Sequence, residues 1–164
     1  MNIFVLDGDP ERAAQYHCDR HVVKMILESV QIMNTALDIR GLSDYTFYGS
    51  THVGHPCVKW AAESWNNMEW LLQLTHYLNK EYRRRYENNE NHSSYQKVLD
   101  NWYDDGWLLP AEDEGYTDFA QAMPDDVKNA DAIRAYRDYY RQYKATEDWF
   151  GYEKSRGEPK WLSV

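Results

Sequence analysis

The clearest set of acid–base side chains in this sequence lies between positions 17 and 35. On a helix, at roughly 100° per residue, six polar positions in this stretch fall within an arc of about 80°. These six are His17, His21, Lys24, Glu28, Gln31 and Thr35. Histidine exchanges protons near neutral pH, and a carboxylate can orient or polarise it. We therefore predict that His17, His21, Lys24 and Glu28 form a catalytic acid–base set.

Two other interpretations of this polar stripe stay open. Apolar residues occupy the other side of the helix, so the stripe can be a solvated face on which Lys24 and Glu28 form only a surface ion pair. Alternatively, the spacing of His17 and His21 suits two metal ligands on one side of a helix. Cys18 stands where the zinc-protease helix motif has a Glu, and a third ligand would have to come from His52, His55 or Cys57. Our prediction contains no metal and no other cofactor.

A second candidate binding position is His55, which precedes Pro56 at the predicted start of a long helix. Backbone N–H groups and the helix dipole attract anions at such a position. We predict that His55 contributes to phosphate binding. The alternative is that His55 only caps the helix and that Trp60, one turn later, only fills the core.

A third candidate set lies on the last predicted helix, where basic residues alternate with tyrosines. Guanidinium groups can hold phosphates, and aromatic rings can stack on unpaired bases. The predicted substrate-binding residues here are Arg134, Arg137, Tyr140, Arg141 and Lys144. In the alternative interpretation the tyrosines face the core and the arginines pair with the acidic segment 104–126.

The charge distribution bears on the choice of partner. The net charge is −9, but residues 100–128 alone carry −8, so the rest of the chain is nearly neutral. A local basic patch can therefore bind phosphate although the protein is acidic. The sequence predicts a nucleic acid or a nucleotide as the partner. The acidic segment 104–126 is an alternative interface, for a host protein.

Length and composition predict one domain over residues 1–164 that is mainly α-helical, with one short β-strand at residues 2–6. No stretch is apolar enough for a membrane span, and the first residues lack the features of a secretory signal, so we expect a cytoplasmic protein. We expect Cys18 and Cys57 to be free thiols.

The positions of Asp, Pro and Gly residues predict where the helices start and end. Asp9 caps a helical stretch that starts at Pro10 and runs, with a break near Asp19, to about Arg40, where Gly41 stops it. The other helices are predicted at 56–86, 94–104 and 130–145. Ser93 and Gln96 form a capping box for the helix at 94–104. In the long helix, Val58, Ala61, Trp65, Met68 and Leu72 form one buried row. The aromatic residues after 148 are expected to pack back onto the domain.

Several motifs together resemble a family of small proteins found mostly in tailed phages, and the resemblance runs nearly end to end. They are His17-Cys18-Asp19-x-His21-Val22-Val23-Lys24-Met25-x-x-Glu28, His55-Pro56, Ala122-Met123-Pro124-Asp125, Ala135-Tyr136-Arg137-x-Tyr139-Tyr140 and Pro159-x-Trp161. More distantly, the layout of a polar helix, a His-led long helix and an aromatic, basic C-terminal part resembles the pyrimidine-dimer DNA glycosylases of the phage endonuclease V type.

The distant resemblance implies a compact helical enzyme that excises damaged bases with an N-terminal amine as nucleophile and a helical Glu as its partner. By position, Glu28 is that carboxylate. Met1 precedes the bulky Asn2, which hinders removal of the initiator, so the terminal Thr amine of that group has no counterpart. Lys24 becomes the candidate amine nucleophile if burial lowers its pKa.

The function predicted from the sequence is a nucleic-acid- or nucleotide-processing enzyme, which acts as a glycosylase/lyase or cleaves a phosphoester bond. The alternative is a non-catalytic phage factor that binds a host protein or a small nucleotide signal. The phage resemblance places either one in the host cytoplasm.

Overall fold

The computed structural model describes residues 1–103, 112–154 and 156–163. Within these ranges the protein is helical, which confirms the predicted mainly α class. The α-helices are α1 (Pro10–Tyr16), α2 (Asp19–Ile39), α3 (Pro56–Glu63), α4 (Trp65–Arg85), α5 (Ser93–Trp102) and α6 (Ala132–Tyr139). None of the helices in this part of the chain is both long enough and apolar enough to span a membrane.

The predicted strand at residues 2–6 is wrong. A strand needs a neighbouring strand for its backbone N–H and C=O groups, and the described residues form none. Side chains take over this role: the Asn2 Oδ1 atom accepts from the Ile3 backbone nitrogen at 2.8 Å, and Arg137 donates to the Leu6 carbonyl at 2.8 Å. Phe4 has a φ of +38°, which bends the segment. The apolar residues that suggested a strand, Ile3 to Leu6, are instead threaded through the core.

The predicted break near Asp19 is confirmed. Asp9 caps α1 by accepting from the Glu11 backbone nitrogen, and Pro10 is its first residue. The chain is then extended at His17 and Cys18 before α2 begins at Asp19. After α2, Gly41 adopts a φ of +80°, the left-handed conformation that commonly ends a helix.

The long helix predicted over 56–86 is two helices, because Ser64 is extended, with φ −149° and ψ 150°. Its hydroxyl accepts from the Asn67 backbone nitrogen at 3.1 Å and donates to the Gly115 carbonyl at 2.6 Å. The Ser64 side chain therefore caps α4, and a residue of a distant segment stabilises the break. The predicted row is nevertheless confirmed, since all five members are buried: Val58, Ala61, Trp65, Met68 and Leu72.

The two later helices also differ from their predictions at the ends. α5 is capped by His92, whose Nδ1 atom accepts from the Ser94 backbone nitrogen, so the predicted box of Ser93 and Gln96 is wrong. Gln96 instead donates to Asp100. α6 does not continue as an α-helix to 145; a π-helical turn, Tyr140–Lys144, follows it. The Ala145 nitrogen donates to the Tyr140 carbonyl at 2.8 Å, which closes this wider turn.

The core is built around the pairing of α2 with α4, against which α1 and α3 also pack. The predicted packing of the aromatic tail is confirmed, since Trp149, Phe150, Tyr152 and Trp161 all contact the core. Both cysteines are buried free thiols, as predicted.

Arg85 is a buried charge that connects four parts of the chain. It contacts Glu81 at 2.8 Å and Asp19 at 3.1 Å, and it donates to the carbonyls of Gln15 and His17. Glu81 also pairs with Arg156 of the tail at 2.7 Å. Hence one of the three consecutive arginines at 83–85 belongs to the interior and holds the ends of α1, α2 and α4 together.

Candidate site at the first residue and Glu28

Nitrogen atoms of three residues lie close to the carboxylate of Glu28 on α2. The Met1 terminal nitrogen lies 4.0 Å from Glu28 Oε2, and the Asn2 backbone nitrogen donates to the same oxygen at 2.9 Å. The Lys24 Nζ atom lies 3.3 Å from Oε1. The site thus combines one carboxylate with two amines, one at the start of the chain and one on a side chain.

The first residues are held in place by several contacts that are distant in sequence. The Asn2 side chain donates to the Ala122 carbonyl at 2.7 Å. The Phe4 ring stacks on His21 at a centroid distance of 4.6 Å and on Tyr139 at 5.9 Å. Because the chain turns at Phe4, residues 1 and 2 reach the α2 face that carries Glu28, while residues 3–6 stay in the core.

His55 lies beside the first residue and caps α3. Its Nδ1 atom accepts from the Cys57 backbone nitrogen at 3.1 Å, which confirms the capping interpretation. Burial lowers the pKa of His55, and the positive charge of the terminal amine lowers it further, while a hydrogen bond with the Met1 backbone raises it. The ring therefore binds the main chain of Met1 and helps to position its amine.

Side-chain exposure distinguishes the two residues that bring an amine to Glu28. The Lys24 side chain is 59% exposed, whereas the side chains of Met1 and Glu28 are 5% and 13% exposed. The burial that the sequence analysis required for a nucleophilic Lys24 is therefore absent. A half-buried carboxylate beside a fixed amine can accept the proton that the amine must lose before it attacks an electrophilic carbon.

His17 and His21 do not belong to this group of side chains, although both are close to Lys24 in the sequence. His17 ends α1 instead of lying on α2, so it is not in register with Lys24 and Glu28. It is fully buried, and its Nδ1 atom donates to the Ala13 carbonyl at 2.7 Å. His21 is 3% exposed and lies 2.8 Å from the Tyr140 hydroxyl, which also accepts from the Cys18 nitrogen. Both imidazoles are thus packed behind Phe4.

Burial lowers the pKa of His17 to about 4 and that of His21 to about 2. Both values lie below the unfolded value of 6.5, so the unfolded chain binds more protons in acid. The stability contributed by the neutral rings is complete above pH 6.5 and falls as the pH decreases toward 4 for His17 and toward 2 for His21. Replacing His21 by Gln, which can still accept from Tyr140, removes one such group. We expect the decrease in unfolding free energy between pH 6 and pH 5 to become smaller by up to about 1.4 kcal/mol. Urea denaturation at both pH values measures it, and parallel profiles for the variant and the wild type would contradict it.

The basic residues of the last helix are mostly paired within the chain. Arg137 donates to Asp7 at 3.2 Å, and its guanidinium lies over the rings of Tyr16 and Trp161. Arg141 donates to Asp138 and to the Trp161 carbonyl. A phosphate would have to compete with these carboxylates. Arg134 is exposed and lies 3.9 Å from Asp138, Tyr140 is fully buried, and Lys144 contacts only aromatic rings among the described residues.

The acidic segment is not the partner of these arginines where the structure describes it; residues 104–111 lie outside the described part. Glu114 instead pairs with Arg40 at 2.7 Å and accepts from the Trp65 nitrogen at 2.6 Å. Asp126 accepts from the Tyr143 hydroxyl. Residues 114–117 therefore pack on the junction of α3 and α4, whereas Asp126 contacts the turn that follows α6.

Two open clefts lie elsewhere. One, of about 540 Å³, is lined by residues of α3 together with Asp118 and Ala120, and another, of about 560 Å³, lies between residues 116–121 and 129–133. Neither is lined by Met1, Lys24 or Glu28. Among residues 1–103, 112–154 and 156–163, no three His, Cys, Asp or Glu side chains are grouped to hold a metal. The site is thus defined here by its amines and its carboxylate.

Of the sequence-predicted residues, the structure brings Lys24, Glu28 and His55 together at the first residue. Sequence reasoning missed the terminal amine, which it had set aside because Asn2 is expected to hinder removal of the initiator Met1. Retention does not remove the group, since Met1 carries an α-amine of its own. The signal available in the sequence was the short apolar segment 3–6 next to the Asp7-Gly8 turn, which returns the chain start to the core.

The fold and the site define a compact helical protein in which a terminal amine meets a helical carboxylate. Residues 1–94 match the sequence profile of pyrimidine dimer DNA glycosylases. This match spans more than half of the 164 residues and includes Lys24, Glu28 and His55, so the chain belongs to the pyrimidine dimer DNA glycosylase family. Comparisons with curated proteins and with solved structures find no match.

Proposed function

We propose that this protein is a DNA glycosylase that cleaves the N-glycosidic bond of a damaged pyrimidine, with an amine as nucleophile and Glu28 as its proton acceptor. The observation that carries the proposal is the convergence of the terminal amine and the Asn2 N–H on one Glu28 oxygen. This convergence lies inside the region that matches the family. The phage resemblance adds the host cytoplasm as the proposed place of action.

The proposed reaction uses the Glu28 carboxylate twice. Glu28 takes a proton from the terminal ammonium group, and the neutral amine attacks C1′ of the deoxyribose. The bond from C1′ to the base breaks, and its electron pair leaves with the base, which takes up a proton. The attached nitrogen loses a second proton, the bond from C1′ to O4′ breaks and O4′ takes up a proton, which leaves the enzyme joined to C1′ as an iminium ion. Glu28 as a base can then remove the C2′ proton, and the 3′-phosphate leaves as the strand is cleaved.

The Met1 amine is the preferred nucleophile, and Lys24 is the second candidate. Asn2 and His55 hold the Met1 backbone in one position, and fixed geometry is what a nucleophile requires. Lys24 is on a flexible, mostly exposed side chain and contacts Glu28 from the solvent side. In this proposal Lys24 supports the charge of Glu28, while His17 and His21 pack behind the site and keep Phe4 in place.

Reductive trapping tests the proposal. The protein is mixed with a synthetic duplex that contains a thymine dimer, or with one that contains an abasic site, in the presence of borohydride, which reduces an iminium ion to a stable amine. We expect a covalent protein–DNA complex, and mass spectrometry of its peptides should locate the link on Met1. The undamaged duplex is the control and should give no complex.

Absence of both base release and a trapped complex on either damaged duplex would overturn the proposal. The alternative from the sequence would then apply, a non-catalytic phage factor that binds a host protein or a small nucleotide.

A further inference from the structure

Two cations beside the site have no carboxylate partner among the residues that the structure describes. Arg20 and Lys144 form no ion pair with any carboxylate in the described ranges. Arg20 lies over the Trp149 ring at 5.2 Å, and Lys144 lies over the Tyr139 ring at 5.0 Å. A contact with an aromatic ring holds a cation in place without cancelling its charge. Both residues therefore present a fixed, uncompensated positive charge.

Arg20 belongs to the same face of α2 as the site. Arg20, Lys24 and Glu28 are spaced four residues apart, so they follow one another along one stripe of the helix. Arg20 and Lys24 are exposed, and Glu28 lies deeper. Moving along this stripe from Glu28 toward the start of α2 leads to Arg20.

Lys144 reaches the same surface from the other end of the chain. Its Nζ atom lies 6.0 Å from the centroid of the Phe4 ring, and Phe4 stacks on His21 of α2. Besides burial, the positive charges of Lys144, Lys24 and Arg20 lower the pKa of His21, so all three charges lie near enough to that ring to act on it. The π-helical turn Tyr140–Lys144 positions the Lys144 side chain, because this wider turn buries Tyr140 and leaves Lys144 beside Tyr139. Such turns are frequent at functional sites.

We propose that Arg20 and Lys144, together with Lys24, form a phosphate-binding surface that holds the backbone of the damaged DNA strand beside the first residue and Glu28. This inference rests on the proposed function and extends it to the C-terminal third of the chain, which lies outside the family match. It also replaces Arg137 and Arg141, whose charges are balanced by Asp7 and Asp138, as the main phosphate contacts.

The test is the salt dependence of DNA binding. The double variant Arg20→Gln, Lys144→Gln is compared with the wild type by fluorescence anisotropy on a short duplex that carries a tetrahydrofuran abasic-site analogue. We expect Kd to rise by about tenfold, and the slope of log Kd against log salt concentration to fall by about 0.9 for each phosphate that the variant no longer neutralises.

The chain offers a matched control. Lys80 and Lys97 also lie over tyrosine rings, those of Tyr77 and Tyr48, and they belong to α4 and α5. The variant Lys80→Gln, Lys97→Gln makes the same change in net charge and should bind as the wild type does.

Three results would overturn the inference. The first is an unchanged salt slope for the Arg20 and Lys144 variant, with a melting temperature equal to that of the wild type. The second is an equal loss of affinity in the control variant, which would mean that only net charge matters. If the variant forms the trapped covalent complex normally in either case, the proposed function stands and only this surface is wrong. The third is a wild type that neither binds nor is trapped on damaged duplex, and it overturns both proposals together.

Discussion

Replacing Glu28 by Gln is expected to lower the rate of base excision by a factor of about 100 to 10,000, the usual contribution of a positioned acid–base group. The amide keeps the shape of the side chain and can still accept from the Asn2 backbone nitrogen, but it cannot take a proton from the amine. The fold should persist, because the ion pair with Lys24 that the variant lacks is partly exposed, and the change in stability stays within about 1 kcal/mol. Single-turnover kinetics on a dimer-containing duplex and a melting curve measure the two effects separately.

The control is Glu69→Gln, which makes the same exchange on α4, where Glu69 accepts a hydrogen bond from Gln73. Its excision rate should equal that of the wild type. Full activity of Glu28→Gln would remove Glu28 from the mechanism, whereas loss of activity together with unfolding would show only that Glu28 is structural. Duplex binding distinguishes a catalytic role of Glu28 from a structural one. If the role is catalytic, Glu28→Gln binds the duplex as tightly as the wild type does.

Displacing the terminal amine is expected to have the second large effect. A short extension of Gly and Ser ahead of Met1 leaves every side chain in place but moves the amine away from Glu28, and even a displacement of about 1 Å can cost a factor of about 100 in rate. We therefore expect excision to fall at least about 100-fold. At saturating enzyme, Lys24→Met should retain the rate within about tenfold, because its ion pair with Glu28 is partly exposed and saturation compensates for a weaker phosphate contact.

The two variants together identify the nucleophile. If the extended protein keeps its rate and Lys24→Met loses it, the nucleophile is Lys24, and the trapped peptide should then contain residue 24 instead of residue 1. Duplex binding by the extended protein is the control, and it should match the wild type, since Arg20 and Lys144 are unchanged.

Features that depend on neighbouring residues were predictable from the sequence. The Asp9 and Pro10 start of α1, the break before Asp19 and the left-handed Gly41 all follow from local backbone chemistry, and all three are confirmed. The alignment of Lys24 with Glu28 is equally local, because residues four apart on a helix always share a face. The helical class and the buried row of α3 and α4 follow from the periodicity of apolar residues.

Predictions from local sequence were wrong where contacts with a distant segment decide the backbone conformation. Residues 2–6 are β-prone, but a strand cannot form without a partner strand, and the segment satisfies its backbone through Asn2 and Arg137. Periodicity continues across Ser64, yet the Gly115 carbonyl and Asn67 hold that residue out of the helix. Similarly, a helical wheel placed His17 beside Glu28, although the two residues belong to different helical segments.

The sequence by itself determined the helical class and the pairing of Lys24 with Glu28. Only the tertiary structure decided what that carboxylate faces. Hydrophobic periodicity predicts which face of α2 is buried, but it does not predict the path of the first six residues. These residues turn at Phe4 and bring Met1 and Asn2 to Glu28, which lies 26 residues beyond Asn2. In the same way, burial under Phe4 made His17 and His21 packing residues, and internal carboxylates rather than composition decided which cations remain uncompensated on the surface.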